Sequence, residues 1–162
     1  MKKLVYLLII MTVIATLLAS CAPKKPGESV LVVTGKIGKT NSGSDYVIDQ
    51  ATFDAKSTEL TYNDPWMGDG LKYKGILLKD LITMVKPASD VTTVRLIATD
   101  GKAFDIALAD AKNYNIILAR WVDGTPLTAE NGGPVKVAYS DDAKATYPDE
   151  QWAWWVVKVE FR

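Results

Sequence analysis

Histidine is absent from this 162-residue chain, and cysteine occurs once. The missing imidazole excludes Ser-His-Asp and Cys-His nucleophiles and histidine-ligated metal sites. It also removes the side chain that titrates near neutrality without a large pKa shift. A lone cysteine excludes intrachain disulfides, Cys-rich zinc sites and iron–sulfur clusters. Neither sign of charge dominates, with 19 Lys plus Arg against 19 Asp plus Glu. Interspersed signs in that balance leave no electrostatic footprint for nucleic acid, whose binding rests on Lys and Arg neutralising phosphates, so no nucleic-acid partner is expected.

The long hydrophobic run stands at the start of the chain. Met1-Lys2-Lys3 precedes a nearly unbroken apolar stretch from Leu4 to Leu18, which ends in Leu18-Ala19-Ser20-Cys21. A charged start, an apolar segment and small residues at its end form an export signal, and the run is short for a membrane span of about 20 residues. The last four residues resemble a lipobox, where bacteria attach diacylglycerol to the cysteine and cleave before it. That resemblance makes residues 1–20 a lipoprotein signal peptide and Cys21 the lipidated N-terminus, a palmitate-type anchor in a cell membrane or outer membrane facing the periplasm or exterior. Ala22 supplies no acidic retention signal, which favours an outer membrane where there is one.

Cleavage before Cys21 leaves 142 residues with 17 basic and 19 acidic side chains, a formal charge of −2. That length suits one domain. Residues 21–29, polar and rich in proline, suit a tether, and the domain is expected over 30–162. Membrane contact is then expected through the lipid and not through the domain surface.

Within the domain, β-branched and apolar runs predict strands over 30–37, 58–62, 91–98, 104–107, 116–122, 134–139 and 154–161. Asp100-Gly101 and Asp123-Gly124 are turn signals. Leu77, Leu78, Leu81, Ile82 and Val85 fall on one helical face, and shorter helices are expected over 49–55, capped by Asp49, and over 108–112. A loop is expected from Asn63 to Leu71. Many short strands with two or three short helices give an α+β domain built on a mixed or antiparallel sheet.

Trp152, Trp154 and Trp155 fall within four residues, close after Tyr139, Asp141, Asp142, Tyr147, Asp149 and Glu150. On a strand, Trp154 and Trp155 would face opposite sides, so one of them covers something other than the main core. Both belong to the core if the sheet is covered on two faces; otherwise an indole and nearby carboxylates make a pocket for a planar ligand. Tyr62-Asn63-Asp64-Pro65-Trp66 is a second aromatic and acidic cluster, with an ordinary exposed turn as its alternative. Arg120, between Ala119 and Trp121, is either a bidentate donor or a charge stacked on the neighbouring indole.

Several signatures, in order, resemble the oxidoreductase molybdopterin-binding domain family, the fold of sulfite oxidase. They are Val32-Val-Thr-Gly35, Tyr73-Lys-Gly-Ile-Leu-Leu-Lys-Asp-Leu81, Leu96-Ile-Ala-Thr-Asp-Gly101, Ala119-Arg-Trp-Val-Asp-Gly-Thr-Pro-Leu127, Gly132-Gly-Pro-Val-Lys-Val137 and the closing Trp152–Phe161. The resemblance implies a sulfite-oxidase-type molybdopterin-binding fold. In the family's catalytic members a cysteine just ahead of an aromatic ligates molybdenum, and the corresponding stretch here, Tyr62 to Trp66, has no thiol. Neither an amide nor a phenol replaces a thiolate's charge and softness. A subset of small exported proteins with this fold lacks that cysteine and binds pterins without metal, some passing the ligand state to membrane signalling proteins.

Pterin recognition asks for a carboxylate fork to the amino group and ring N–H, a donor to the carbonyl and an aromatic against the ring face. Asp64, Asp141 and Asp149 are candidates for the first role, Arg120 and Asn63 for the second, and Trp66, Tyr147 and Trp152 for the third. Tyr139 completes the candidate ligand-binding set. The expectation is a non-catalytic lipoprotein holding a pterin, a metal-free molybdopterin or another small planar ligand, with no metal and with a membrane signalling or redox protein as partner. Two alternatives stay open: a molybdopterin-dependent oxidoreductase with atypical metal ligation, and a scaffold lipoprotein whose indoles cover a partner.

Overall fold

The computed structural model describes residues 27–162. The expected signal peptide, the lipidation site Cys21 and most of the tether lie outside the described residues. No helix among the described residues is long and apolar enough to cross a membrane.

Among the described residues, ten strands form two sheets. The first runs β2(Tyr46–Asp49), β1(Ser29–Gly35), β10(Val156–Phe161), β5(Thr93–Ala98), β6(Ala103–Ala107). The second runs β3(Thr58–Asp64), β4(Gly68–Leu77), β7(Ile116–Val122), β8(Thr125–Pro126), with β9(Lys136–Tyr139) also paired to β7. All pairings are antiparallel except β1 with β10, in register Val32 to Lys158. The α+β expectation holds, with two sheets where the strand pattern alone suggested one.

Among the described residues, three α-helices join the layers. Helix α1(Gln50–Lys56) is capped by Asp49, whose carboxylate accepts the Thr52 N–H at 2.8 Å, and it touches β1 and β2 of one sheet and β4 of the other. Helix α2(Leu78–Val85) buries Leu78, Leu81, Ile82 and Val85. Each such side chain is worth about 1.5–3 kcal/mol relative to exposure. Lys86 ends the helix in the left-handed region at φ 49°, and the Gly38 N–H closes on the Val85 carbonyl at 3.0 Å. Helix α3(Leu108–Asn113) packs on α2, β5 and β6.

Two local expectations are corrected. The glycine-rich stretch 63–71 is mostly strand: β3 runs to Asp64, β4 resumes at Gly68, and Pro65–Met67 make a tight turn. Gly68 and Gly70 adopt φ 116° and 70°, so the glycines bend the hairpin without ending its pairing. The closing strand begins at Val156, so Trp154 and Trp155 precede it and are not on alternate strand faces. Trp155 sits at φ 56°. That left-handed geometry costs about 1 kcal/mol for a non-glycine residue. It is held by the Trp155 N–H to the Gly132 carbonyl at 2.9 Å and by the indole N–H to the Ala129 carbonyl at 2.7 Å.

Gly75 on β4 lies directly against the β7 backbone, opposite Ala119. A Cβ there would stand 2.0 Å from the Leu118 carbonyl oxygen and 2.6 Å from the Ala119 Cα, both backbone atoms. Gly75→Ala is therefore expected to lower stability by about 2–3 kcal/mol in urea denaturation. Gly43→Ala, with nothing within 4 Å and φ 61°, should cost only about 1 kcal/mol. Equal losses would contradict the close approach.

Candidate functional site: a tryptophan-walled cleft

A cleft of about 300 Å³ opens where the two sheets meet. Trp66 comes from the β3–β4 turn. Ala98, Asp100, Lys102 and Phe104 come from the β5–β6 hairpin, and Asp149, Glu150, Trp152, Trp154 and Trp155 from the segment entering β10. Four of the chain's five tryptophans line this one space. Trp66 is 60% exposed, the one large exposed hydrophobic among the described residues, whereas Trp152 is 4% exposed. Trp154 and Trp155 meet edge to face with centroids 5.9 Å apart. The segment is strapped from both sides, by Thr99 N–H to the Trp155 carbonyl at 3.0 Å and by Val137 N–H to the Ala153 carbonyl at 2.8 Å.

Beneath the indoles lies a buried ion pair. Lys136, at the start of β9, and Asp64, at the end of β3, are both fully buried at their side chains and meet at 2.5 Å. The Tyr73 hydroxyl donates to the same carboxylate oxygen at 2.6 Å. The other Asp64 oxygen accepts the backbone N–H groups of Trp66 and Met67 at 2.8 and 3.0 Å, fixing the turn that presents Trp66. The Lys136 ammonium stands 5.0 Å from the Trp154 ring centroid, 5.7 Å from that of Trp152 and 5.8 Å from that of Tyr73. Burial alone pushes the Asp64 carboxyl up; hydrogen bonds from Lys136, Tyr73 and the Trp66 N–H outweigh it and hold it below its ordinary value. Gly132 makes room for this floor, since a Cβ there would come within 2.9 Å of Trp154 Cγ and 3.1 Å of Lys136 Cδ.

Of the residues singled out in the sequence, Trp66, Asp149 and Trp152 line the cleft. Asp64 lies behind it with both oxygens engaged. Tyr139 and Tyr147 are buried and stacked at 5.1 Å, and Tyr139 meets the Trp152 ring at 5.7 Å. Tyr147 donates to Asp110 at 2.6 Å, and burial with that bond pushes its hydroxyl up to about 12. These two tyrosines brace Trp152 from within. Asn63 donates to Asp141 at 2.8 Å, and Lys144 pairs with Asp141 at 2.8 Å while standing 5.9 Å from the Trp152 centroid, a polar cluster beside the cleft.

Arg120 is not brought to the cleft. Its guanidinium lies 5.3 Å from the Trp121 centroid and 5.5 Å from that of Phe53 and donates to Gln50, which is the stacked-charge alternative. Trp154, Trp155 and Glu150 belonged to the aromatic and acidic cluster read from the sequence but not to its candidate ligand-binding set, and the β5–β6 residues and Lys136 were missed. A lone lysine between apolar residues, Val135-Lys136-Val137, was the available signal for a buried cation.

The family described as "oxidoreductase molybdopterin binding domain" matches residues 50–161. The chain belongs to this family. Among solved structures it is similar to the sulfane dehydrogenase SoxCD from Paracoccus pantotrophus, at a TM-score of 0.63 and 13% identity over 83% of this chain. The matched region spans 38% of that longer chain. At that identity the likeness shows the fold, which is the sulfite-oxidase-type molybdopterin-binding fold that the ordered signatures implied. No curated protein matches the sequence.

Removing one partner of the buried pair leaves the other uncompensated. Asp64→Asn and Lys136→Met should each cost about 3–5 kcal/mol, and the double variant should recover much of that loss. Because the folded carboxyl titrates below its unfolded value of about 3.9, its contribution is complete above that range and is lost as pH falls through the folded value. Denaturation between pH 7 and 3 should therefore show a smaller acid loss in Asp64→Asn than in wild type. An unchanged acid profile would contradict a carboxylate stabilised by this pair.

Proposed function

We propose that this protein is an exported, lipid-anchored member of the family that holds a pterin or related planar ring without a metal. In this reading it presents the ligand state to a membrane signalling partner. The observation that carries the reading is the cleft: four indoles line it, and at its mouth the carboxylates of Asp149 and Glu150 have no side-chain partner among the described residues. Indole faces suit a flat heterocycle, and a free carboxylate suits the two-bond fork of a ring amine and adjacent N–H. A volume of about 300 Å³ is at the low end for ligand sites, enough for one fused bicyclic ring.

The donor set does not fit a metal-bearing cofactor. No cysteine or histidine occurs after Cys21, and no three Asp or Glu among the described residues converge as a metal site. In the hairpin where the resemblance places a thiolate, Asp64 is the buried anionic group, and its oxygens are taken by Lys136, Tyr73 and two backbone N–H groups. Nothing there is left to replace a soft, charged sulfur. The export signal and Cys21 support placement at a cell or outer membrane, facing the periplasm or exterior.

Protein purified from its native host and denatured is expected to release a pterin detected by fluorescence and mass spectrometry. A well-folded protein that carries none and binds no added pterin in calorimetry would overturn the reading. Stoichiometric molybdenum would favour the oxidoreductase alternative. Trp66→Ala should weaken pterin binding about tenfold with little change in stability, because the indole is mostly exposed. Loss of partner capture with unchanged pterin affinity would favour the scaffold. Cys21→Ala should move the protein from the membrane fraction to the soluble fraction and abolish palmitate labelling.

A further inference from the structure

The charges around the cleft are paired unequally. Lys136 is neutralised by Asp64 at 2.5 Å, Lys144 by Asp141 at 2.8 Å and Lys102 by Asp100 at 3.5 Å. Among the described residues, Lys102 lines the cleft and Lys136 and Lys144 stand against its tryptophans. Asp149 and Glu150 line the opening, are exposed and have no ion pair or side-chain hydrogen bond among the described residues. Among the described residues, a ligand entering the cleft therefore meets two uncompensated negative charges and no free positive one in the lining.

The walls favour the same sign. Trp66, Trp152, Trp154 and Trp155 contribute four indoles, the aromatic side chain that attracts cations most strongly through its ring quadrupole. The floor already uses that property once, since the Lys136 ammonium sits 5.0 Å from the Trp154 centroid. Trp152 is itself almost fully buried, so its indole is a fixed part of that wall. A phosphate group would need Arg, Lys or an unoccupied cluster of N–H donors, and the lining residues supply one lysine, already paired.

Resting on the reading of the cleft as a planar-ligand site, we propose that it selects flat heteroaromatic rings carrying positive charge and discriminates against phosphorylated rings. The class of ligand is an amine-bearing or N-alkylated fused bicycle without a phosphate tail. Asp149 and Glu150 are its charge-selecting residues, and the indoles are its stacking surface.

Matched ligand pairs test this by calorimetry on the full-length protein in detergent. N-methylquinolinium is expected to bind about tenfold more tightly than quinoline at low salt, and hydroxymethylpterin about tenfold more tightly than its phosphate monoester. Both ratios should shrink to about twofold at 0.5 M salt, where the Debye length is about 4 Å. They should shrink similarly in Asp149→Asn/Glu150→Gln, whose folding is checked by circular dichroism. A phosphate ester that binds equally well or better overturns the proposal, as does a cation preference that survives both the variant and high salt. If pterins bind with no charge preference, the planar-ligand reading stands and the charge selection falls. If N-methylquinolinium binds with the stated preference and no pterin binds, the charge selection stands and the pterin reading falls. A protein that binds none of the four rings overturns both.

Discussion

The buried contact between Lys136 and Asp64 is the constraint on which the cleft depends. It joins residues 72 positions apart, one at the start of β9 and one at the end of the β3–β4 hairpin's first strand. A buried ion pair contributes little net stability over a well-packed apolar pair, because desolvation offsets most of the Coulombic attraction. Its value here is positional. With one oxygen on Lys136 and Tyr73 and the other on two turn N–H groups, Asp64 has one arrangement, and so has the turn that carries Trp66. With its ammonium among three aromatic rings, Lys136 in turn fixes Trp152 and Trp154 from below.

Around this pair the rest of the site follows by packing. Gly132 has no room for a side chain beside Trp154 and Lys136, so a residue with a Cβ there would push the floor apart. The stacked Tyr139 and Tyr147 close the back of Trp152, and the left-handed Trp155 turns its indole toward Ala129 so that the chain can cross from the wall of the cleft into β10. Strain at Trp155 is held by contacts at both ends of the residue. The wall is thus preorganised, which lowers the ordering cost a planar ligand would meet on binding.

Much of the fold was legible because local patterns and tertiary demands agree. The 116–122 strand, the apolar face of α2, the Asp49 cap and the Asp100-Gly101 turn all stand where periodicity and turn chemistry put them. The misreadings have physical causes. Glycines in 63–71 read as a loop, yet the hairpin continues through them with positive φ angles and a register shift. Trp154 and Trp155 read as strand because their neighbours alternate, but the crossing from cleft wall to sheet bends the chain there. The candidate cleft was half legible: aromatic and acidic clustering named three of its lining residues, Trp66, Asp149 and Trp152, in the candidate set. The two-hairpin convergence and Lys136 depend on long-range pairing that no local pattern records. Arg120 stands apart from the cleft because its two aromatic neighbours, Phe53 and Trp121, hold it on another part of the domain.

Family membership and residue content point in different directions, and the chemistry of the site separates them. The fold belongs to molybdopterin-binding oxidoreductase domains, while the chain has no thiol or imidazole after Cys21 and its cleft presents indoles and carboxylates unpaired among the described residues. Holding a ring is what such a surface does well. A crystal structure of the protein with a bound pterin tests this most directly. The account predicts the ring stacked in the cleft against at least one of Trp66, Trp152, Trp154 and Trp155, with Asp149 or Glu150 at its amino edge. A ring found elsewhere, for example between Arg120 and Trp121, with the cleft empty, would contradict it.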